Sequence, residues 1–170
     1  MDISTLIRDI PDFPKEGVVF KDITPLLADK EAFQYTIDRM ADRYVADKVD
    51  YVLGAEARGF IIAAAIAYKL NAGFIPARKP GKLPNKTARA QYDLEYGTDA
   101  LEVHEDAIKS GDRVLIVDDV LATGGTAAAK AQLVKMHGGL IFGPAFIMEL
   151  SFLNGREKLK GYDVFSLITY

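Results

Sequence analysis

The chain has 170 residues, of which 49% are hydrophobic and 26% charged, so it predicts one domain with a core of its own. The net charge of −3 argues against a nucleic-acid partner, and the lack of Cys excludes disulfides, a thiolate metal site and a Cys nucleophile. Since no apolar run reaches 18 residues and no secretory signal pattern is present, we expect a cytoplasmic protein without a membrane partner.

Helices and strands are predicted to alternate along the chain. Residues 2–10 predict a short helix, 11–27 an irregular arm, and 30–47 a helix with Asp29 as its N-cap. The elements after these are strand 51–54, helix 57–70, strand 73–78, loop 79–91, a hairpin across Gly97-Thr98, strand 113–120, helix 126–138, strand 140–150, and a short helix followed by a strand. This alternation predicts an α/β fold with a mostly parallel sheet, which binds ligands beyond the carboxyl ends of its strands.

The most informative segment is VLIVDDVLATGGT, residues 114–126. An apolar strand ends in two acids, Asp118 and Asp119, and a Gly-rich loop then begins a helix. Such a loop and a helix N-terminus together direct unpaired N–H groups at one point, which predicts a phosphate-binding cradle. Ionised carboxylates beside it suit the hydroxyls of a ribose, because they can only accept hydrogen bonds. The alternative is an ordinary turn with a solvated acid pair. The residues of the candidate cradle are Ala122, Thr123, Gly124, Gly125 and Thr126.

This segment resembles the 5-phosphoribosyl-1-pyrophosphate (PRPP) signature of the type I phosphoribosyltransferases. In that family the acid pair holds the ribose hydroxyls and the loop holds the 5-phosphate. Many relatives that use 6-oxopurines carry Asp where Ala122 stands, whereas Leu121 to Thr126 is similar to the adenine-specific members. The resemblance implies a single domain over 1–170, with a mostly parallel central sheet flanked by helices, a small N-terminal hood and a flexible β-hairpin lid.

The arm at 11–27 resembles the hood of the adenine-specific members. There Phe20 would stack on the purine, and backbone groups of Val19 and Lys21 would meet its hydrogen-bonding edge. A paired C=O and N–H matches the amino donor and ring acceptor of adenine, and it leaves a 6-oxopurine with unpaired buried groups. The alternative is an arm that simply packs on the core.

Two further segments resemble the pyrophosphate-binding parts of the family. One is GAEARGF at 54–60; the other, at 78–97, resembles the flexible catalytic loop. Taken alone, the first is a helix start with a surface Arg and the second is a solvated basic loop. The resemblance implies pyrophosphate binding by Glu56, Ala57, Arg58, Gly59, Arg78, Lys79 and Lys82.

The reaction implied by the resemblance is purine salvage, in which adenine and PRPP give AMP and pyrophosphate through an oxocarbenium-like transition state. Arg58 and Lys82 would stabilise the leaving charge, and Glu95 would act near the purine N7; alternatively, Glu95 simply faces water. Mg²⁺ would be held mainly through PRPP and pyrophosphate oxygens, with no dedicated protein site. The expected assembly is a homodimer.

Three other functions remain open at this point. A 6-oxopurine transferase would share the PRPP site but should lack the adenine-type hood. A PRPP-sensing regulator that binds DNA normally needs an added basic domain, for which this chain has neither the length nor the charge. The third is a nucleotide-binding protein without activity.

Overall fold

The fold of the computed structural model, which describes residues 1–94 and 97–170, is built on a five-stranded parallel sheet. The strands are β1 (Arg8–Ile10), β2 (Phe20–Asp22), β3 (Tyr51–Ala55), β4 (Gly73–Ala77), β5 (Thr87–Asp93), β6 (Thr98–His104), β7 (Arg113–Leu121), β8 (Leu140–Glu149) and β9 (Phe165–Thr169). The helices are α1 (Thr24–Ala28), α2 (Lys30–Asp42), α3 (Arg58–Lys69) and α4 (Gly125–Met136). The parallel sheet has the order β4-β3-β7-β8-β9, while β1-β2 and β5-β6 form antiparallel pairs. The predicted α/β class is therefore confirmed.

Helices cover both faces of the sheet because the central strand β7 is apolar on both. Leu115 and Val117 belong to the core on one face, which also includes residues of α2 and α3. Val114 and Ile116 belong to the core on the other face, together with residues of α4 and of the β5-β6 hairpin. A strand buried on both faces is typical of parallel sheets, and it explains the continuous apolar run at 114–117.

The predicted helix over 2–10 is wrong. A 3-10 turn spans Ile3–Leu6, with Asp2 Oδ1 accepting the Ser4 N–H at 3.0 Å, and the chain then enters strand β1. Strand β1 pairs with β2 of the arm, so partners distant in sequence satisfy the backbone groups that a helix would have paired locally.

Two other predicted helices are shorter than expected. Asp29 caps α2 as predicted, accepting from the backbone N–H groups of Glu31 and Ala32 at 3.0 and 2.9 Å. The helix ends at Asp42, not at 47, and Lys48 takes a left-handed conformation with φ of 51°. Near the C-terminus, the 3-10 turn Gly155–Leu159 stands where a short helix was predicted over 156–162, and another 3-10 turn, Ser151–Leu153, precedes it.

The predicted loop over 79–91 is corrected in its second half. From Thr87 onward the chain forms β5, which pairs with β6, so the hairpin is longer than the sequence indicated. Its pairing brings basic side chains of this segment to acids of β6: Arg89 lies 2.7 Å from Glu102, and Lys79 pairs with Asp99. Burial opposes ionisation of Glu102, but hydrogen bonds from Arg89 and the Gly81 N–H hold its pKa below the ordinary value.

Candidate active site

A cavity of about 250 Å³ lies at the carboxyl ends of β3 and β7. Its walls are Ala55 to Gly59, Asp118 to Ala127 and Phe146. Carboxyl ends of parallel strands meet at one edge of a sheet, which is why segments distant in sequence share this space. The structure thus brings together the predicted cradle, the two acids and the loop after β3.

Asp119 places a buried carboxylate in the cavity wall. Its side chain is only 5% exposed, and Arg58 Nε lies 2.7 Å from its Oδ2 as an ion pair. That N–H is not aligned for a hydrogen bond, so Oδ2 accepts none from the described residues. Burial and the adjacent Asp118 raise the pKa of Asp119 to about 6, against the opposing effect of Arg58. The oxygen is therefore an acceptor without a donor, as expected where a ligand hydroxyl binds.

Asp118 is held from two sides. Its Oδ2 lies 2.6 Å from the Lys130 ammonium, and its Oδ1 accepts the Asp119 N–H at 3.1 Å. A Cβ on Gly59 would lie 2.5 Å from the same Oδ1, so the glycine permits the close approach of α3.

Lys130 is the residue at this site that sequence reasoning missed. It is completely buried and also donates to the Val117 carbonyl at 3.0 Å. The signal was its helical spacing: it stands four residues after Thr126, on the face of α4 that also buries Leu133 and Val134. A lysine on an apolar helix face requires an anionic partner, and the acid pair is the nearest one in this fold.

The predicted cradle is the N-terminus of α4. Gly124 precedes the helix with φ of 84°, and no side chain of the described part of the molecule caps it. The first N–H groups of a helix have no partner within it and lie at the positive end of its dipole. Behind the loop, a Cβ on Gly124 would overlap the Gly155 carbonyl oxygen. The backbone is thus packed tightly from behind, while its N-terminal N–H groups border the cavity.

The loop after β3 joins the cavity to the base of the hairpin. Its Glu56–Ala57 peptide is cis. Glu56 Oε1 accepts from the Lys79 N–H at 2.8 Å and from Arg78 Nε at 3.2 Å. Burial opposes ionisation, but these two donors hold the pKa of Glu56 below its ordinary value. Glu56 therefore anchors the start of the hairpin connection.

The structure does not bring all predicted pyrophosphate-binding cations together. Arg58 lines the cavity, whereas Arg78 pairs with Glu56, and the Lys79 ammonium donates to Tyr92 Oη at 2.9 Å besides its pair with Asp99. The side chain of Lys82 is exposed outside the cavity. Glu95 lies outside the described residues, and its role stays a prediction.

The hood segment reaches the cavity through Arg58. The Arg58 guanidinium carbon lies 4.6 Å from the centre of the Phe20 ring, and its Nη1 donates to the Lys21 carbonyl at 3.1 Å. Phe13 packs edge-on against Phe20, with ring centres 5.1 Å apart. Val19 is half exposed. Phe20 and Lys21 therefore both contact Arg58, the ion partner of Asp119, and the Lys21 carbonyl is engaged by it.

Comparison with known proteins identifies the class. The model of the phosphoribosyl transferase domain family matches residues 26–167, and the chain belongs to this family. Among full-length relatives, the adenine phosphoribosyltransferase of a Thermotoga species is 59% identical over 170 residues, covering 100% of both chains.

Solved structures agree. Adenine phosphoribosyltransferase from Thermoanaerobacter pseudethanolicus superposes with a TM-score of 0.97 at 54% identity, covering 99% of this chain and 98% of its own. The enzyme from Saccharomyces cerevisiae, complexed with D-2,5-dideoxy-2,5-imino-altritol 1,6-bisphosphate and adenine, has a TM-score of 0.90 at 39% identity, with 96% of each chain covered. The resemblance found in the sequence is confirmed.

Proposed function

We propose that this protein transfers the 5-phosphoribosyl group of PRPP to adenine in purine salvage, giving AMP and pyrophosphate. One observation supports it above the others: the uncapped start of α4 shares one cavity with the Asp119 carboxylate, whose Oδ2 pairs with Arg58 but accepts no hydrogen bond from the described residues. These are the acceptor and donors that a phosphorylated ribose needs. The yeast relative complexed with a bisphosphate and adenine supports the same substrates.

The ribose 5-phosphate binds to the cradle. Backbone N–H groups of Thr123 to Thr126 donate to its oxygens, and the two threonine hydroxyls add donors without adding charge. Asp118 and Asp119 accept from the 2- and 3-hydroxyls. Because Asp118 is held by Lys130 and by the Asp119 N–H before the substrate arrives, the acid pair also stabilises the positive charge that develops on the ribose in an oxocarbenium-like transition state.

The pyrophosphate leaves toward the loop after β3. A ribose hydroxyl on Asp119 replaces its contact with Arg58, whose guanidinium then turns to the leaving group beside Ala57 and Gly59. Arg78, Lys79 and Lys82 join it when the hairpin closes, which requires the pairs of Arg78 with Glu56 and of Lys79 with Asp99 to open.

A Mg²⁺ ion fits this arrangement through substrate oxygens. Among the residues that the structure describes, no group of three or more acidic or histidine side chains could hold a metal, and both acids at the cavity already face a cation. When bound, the ion would neutralise charge on the pyrophosphate, with Asp118 and Asp119 as the nearby carboxylates.

Adenine stacks on Phe20, and backbone groups of Val19 and Lys21 meet its edge. Glu95 acts near the purine N7 as the base that removes the proton of the purine. If chemistry limits turnover, Glu95→Gln and Glu95→Ala should both lower kcat, and an unchanged kcat in both would remove Glu95 from the mechanism.

The proposal is tested by incubating the protein with PRPP, Mg²⁺ and each nucleobase in turn. AMP should form from adenine, with one pyrophosphate for each AMP. IMP or GMP without AMP would establish a 6-oxopurine transferase instead. No product from any base would favour a PRPP-binding regulator or an inactive binding protein.

Replacing Phe20 by Ala should weaken adenine binding more than PRPP binding. Phe20→Ala removes the stacking surface, which is worth about 1–3 kcal/mol per base, so the KM for adenine should rise roughly 5- to 150-fold. The KM for PRPP should rise less than the KM for adenine, since Phe20 does not line the cavity of the cradle and reaches it through its contact with Arg58. The matched control is Phe152→Ala, an exposed aromatic away from the cavity. Initial-rate kinetics with each substrate varied in turn give the two KM values separately. Equal rises in the KM for adenine and the KM for PRPP would contradict the assignment of Phe20 to adenine stacking.

The protein assembles as a homodimer in the cytoplasm. The outer face of α3 supports this, because Ile61, Ala64 and Tyr68 are exposed at helical spacing, Tyr68 with 91% of its surface free. In the described part of the chain, no helix is long and apolar enough to span a bilayer. Sedimentation equilibrium should give twice the chain mass, and a single-chain mass at micromolar concentration would contradict the dimer.

A further inference from the structure

We infer that Lys130 is a positioning residue for phosphoribosyl binding, acting through Asp118 from beneath the cavity. It does not line the cavity, so it has no direct contact with a ligand there. The inference rests on the proposed function, because it assigns Asp118 to a ribose hydroxyl.

The ammonium of Lys130 is buried. Lys130 has no exposed surface, and an ammonium in that position is stable only with an anion and hydrogen bonds. It has both: Asp118 Oδ2 at 2.6 Å and the Val117 carbonyl at 3.0 Å. These two contacts bind Lys130 to β7 at Val117 and Asp118, and they thereby hold α4 against β7.

Lys130 also helps to orient the Asp118 carboxylate. Lys130 takes one oxygen, the Asp119 N–H takes the other, and the space beside Oδ1 is closed by Gly59. A carboxylate has about four acceptor positions, and these two contacts together with the side closed by Gly59 leave a ligand only the positions that face the cavity. With 13% of its side chain exposed, Asp118 offers them in one fixed direction. Loss of the ammonium would release the carboxylate to other rotamers.

Lys130 also compensates the negative charge of the acid pair. Two adjacent carboxylates repel each other, and two cations compensate them: Arg58 at 31% exposure and Lys130 at 0%. Arg58 is the one at the cavity and would exchange its contact with Asp119 for one with a ligand, whereas Lys130 is enclosed. Lys130 therefore keeps its compensating charge in place while substrate binds.

Lys130→Met keeps the length and removes the charge. We expect the KM and the calorimetric Kd for PRPP to rise by about 10- to 100-fold, as for a lost hydrogen bond to a charged group, with the KM for adenine changed less than about twofold. The matched control is Lys135→Met on the same helix, whose exposed ammonium lies over the Tyr162 ring and not at the cavity. It should leave both KM values unchanged.

A purely structural lysine gives a different pattern. If Lys130→Met lowers the thermal midpoint but leaves the PRPP Kd within about twofold of the natural protein, or raises both KM values alike, the inference is wrong. The calorimetric Kd needs no turnover, so a natural protein that binds PRPP but forms no AMP would overturn the proposed function without deciding on Lys130.

Lys130→Met leaves a buried carboxylate unpaired and can fail to fold, so a second comparison is needed. Asp118→Asn with Lys130→Met replaces the ion pair by neutral side chains of similar size, which is often well tolerated. If Lys130 acts through Asp118, the double variant should bind PRPP as weakly as Asp118→Asn alone. A double variant with natural PRPP affinity, or one at least tenfold weaker than Asp118→Asn, would overturn the inference.

Discussion

Replacing Gly124 by Ala should reduce AMP formation at least about 100-fold, because the cradle would lose the backbone geometry on which its donors depend. Two effects combine at this position. A left-handed φ of 84° costs an L-residue about 1–2 kcal/mol, and the new Cβ would overlap the Gly155 carbonyl oxygen. We expect the free energy of unfolding to fall by about 2–4 kcal/mol, measured by denaturant titration, together with the loss of turnover.

The matched control separates backbone strain from overlap. Gly111 has a similar φ of 88°, but nothing lies within 4 Å of its added Cβ. Gly111→Ala should therefore cost only about 1–2 kcal/mol and leave turnover unchanged. Comparable activity in the two variants would show that the close packing at Gly124 does not fix the cradle.

Asp119→Asn should make the protein more stable and much less active. Burial and the Asp118 charge raise the pKa of Asp119 to about 6 from 3.8, so its ionised form destabilises the folded state at neutral pH. Removal of that charge should add on the order of 1–3 kcal/mol to the free energy of unfolding at pH 7.5. The KM for PRPP should nevertheless rise about 10- to 100-fold, because a ribose hydroxyl loses its charged acceptor.

The stability gain of Asp119→Asn should depend on pH. Above pH 6 the natural residue is ionised in both states, and the gain is complete. Between pH 6 and 3.8 the folded state binds more protons than the unfolded state, so the gain disappears as pH falls through this window. Denaturant titrations of both proteins from pH 4 to 8 measure it. A gain that does not vary with pH, or a loss of stability at pH 7.5, would show that folding does not raise the pKa of Asp119.

The central motif could be predicted because its parts are contiguous. Strand, acids, glycines and helix start all lie within 114–126, so local rules of strand burial and helix termini suffice to place Asp118, Asp119 and the cradle together. The loop at 54–60 also follows an apolar strand, and parallel pairing of β3 with β7 places it at the same edge.

What could not be predicted depends on partners distant in sequence. The pairing of β1 with β2 involves only three residues from each strand, too few for a period-2 pattern, so 2–10 looked helical. The cations Arg78 and Lys79 looked free for pyrophosphate, because the sequence does not show that Glu56 and Asp99 lie opposite them. Lys130 required knowing which strand α4 packs against.

The most direct measurement is a crystal structure with AMP bound. The phosphate should accept from the backbone N–H groups of Thr123 to Thr126, the ribose hydroxyls should lie on Asp118 and Asp119, and the base should stack on Phe20. AMP bound elsewhere would contradict the proposed site, for instance with its phosphate in the groove that Lys135, Lys158 and Lys160 line beside α4.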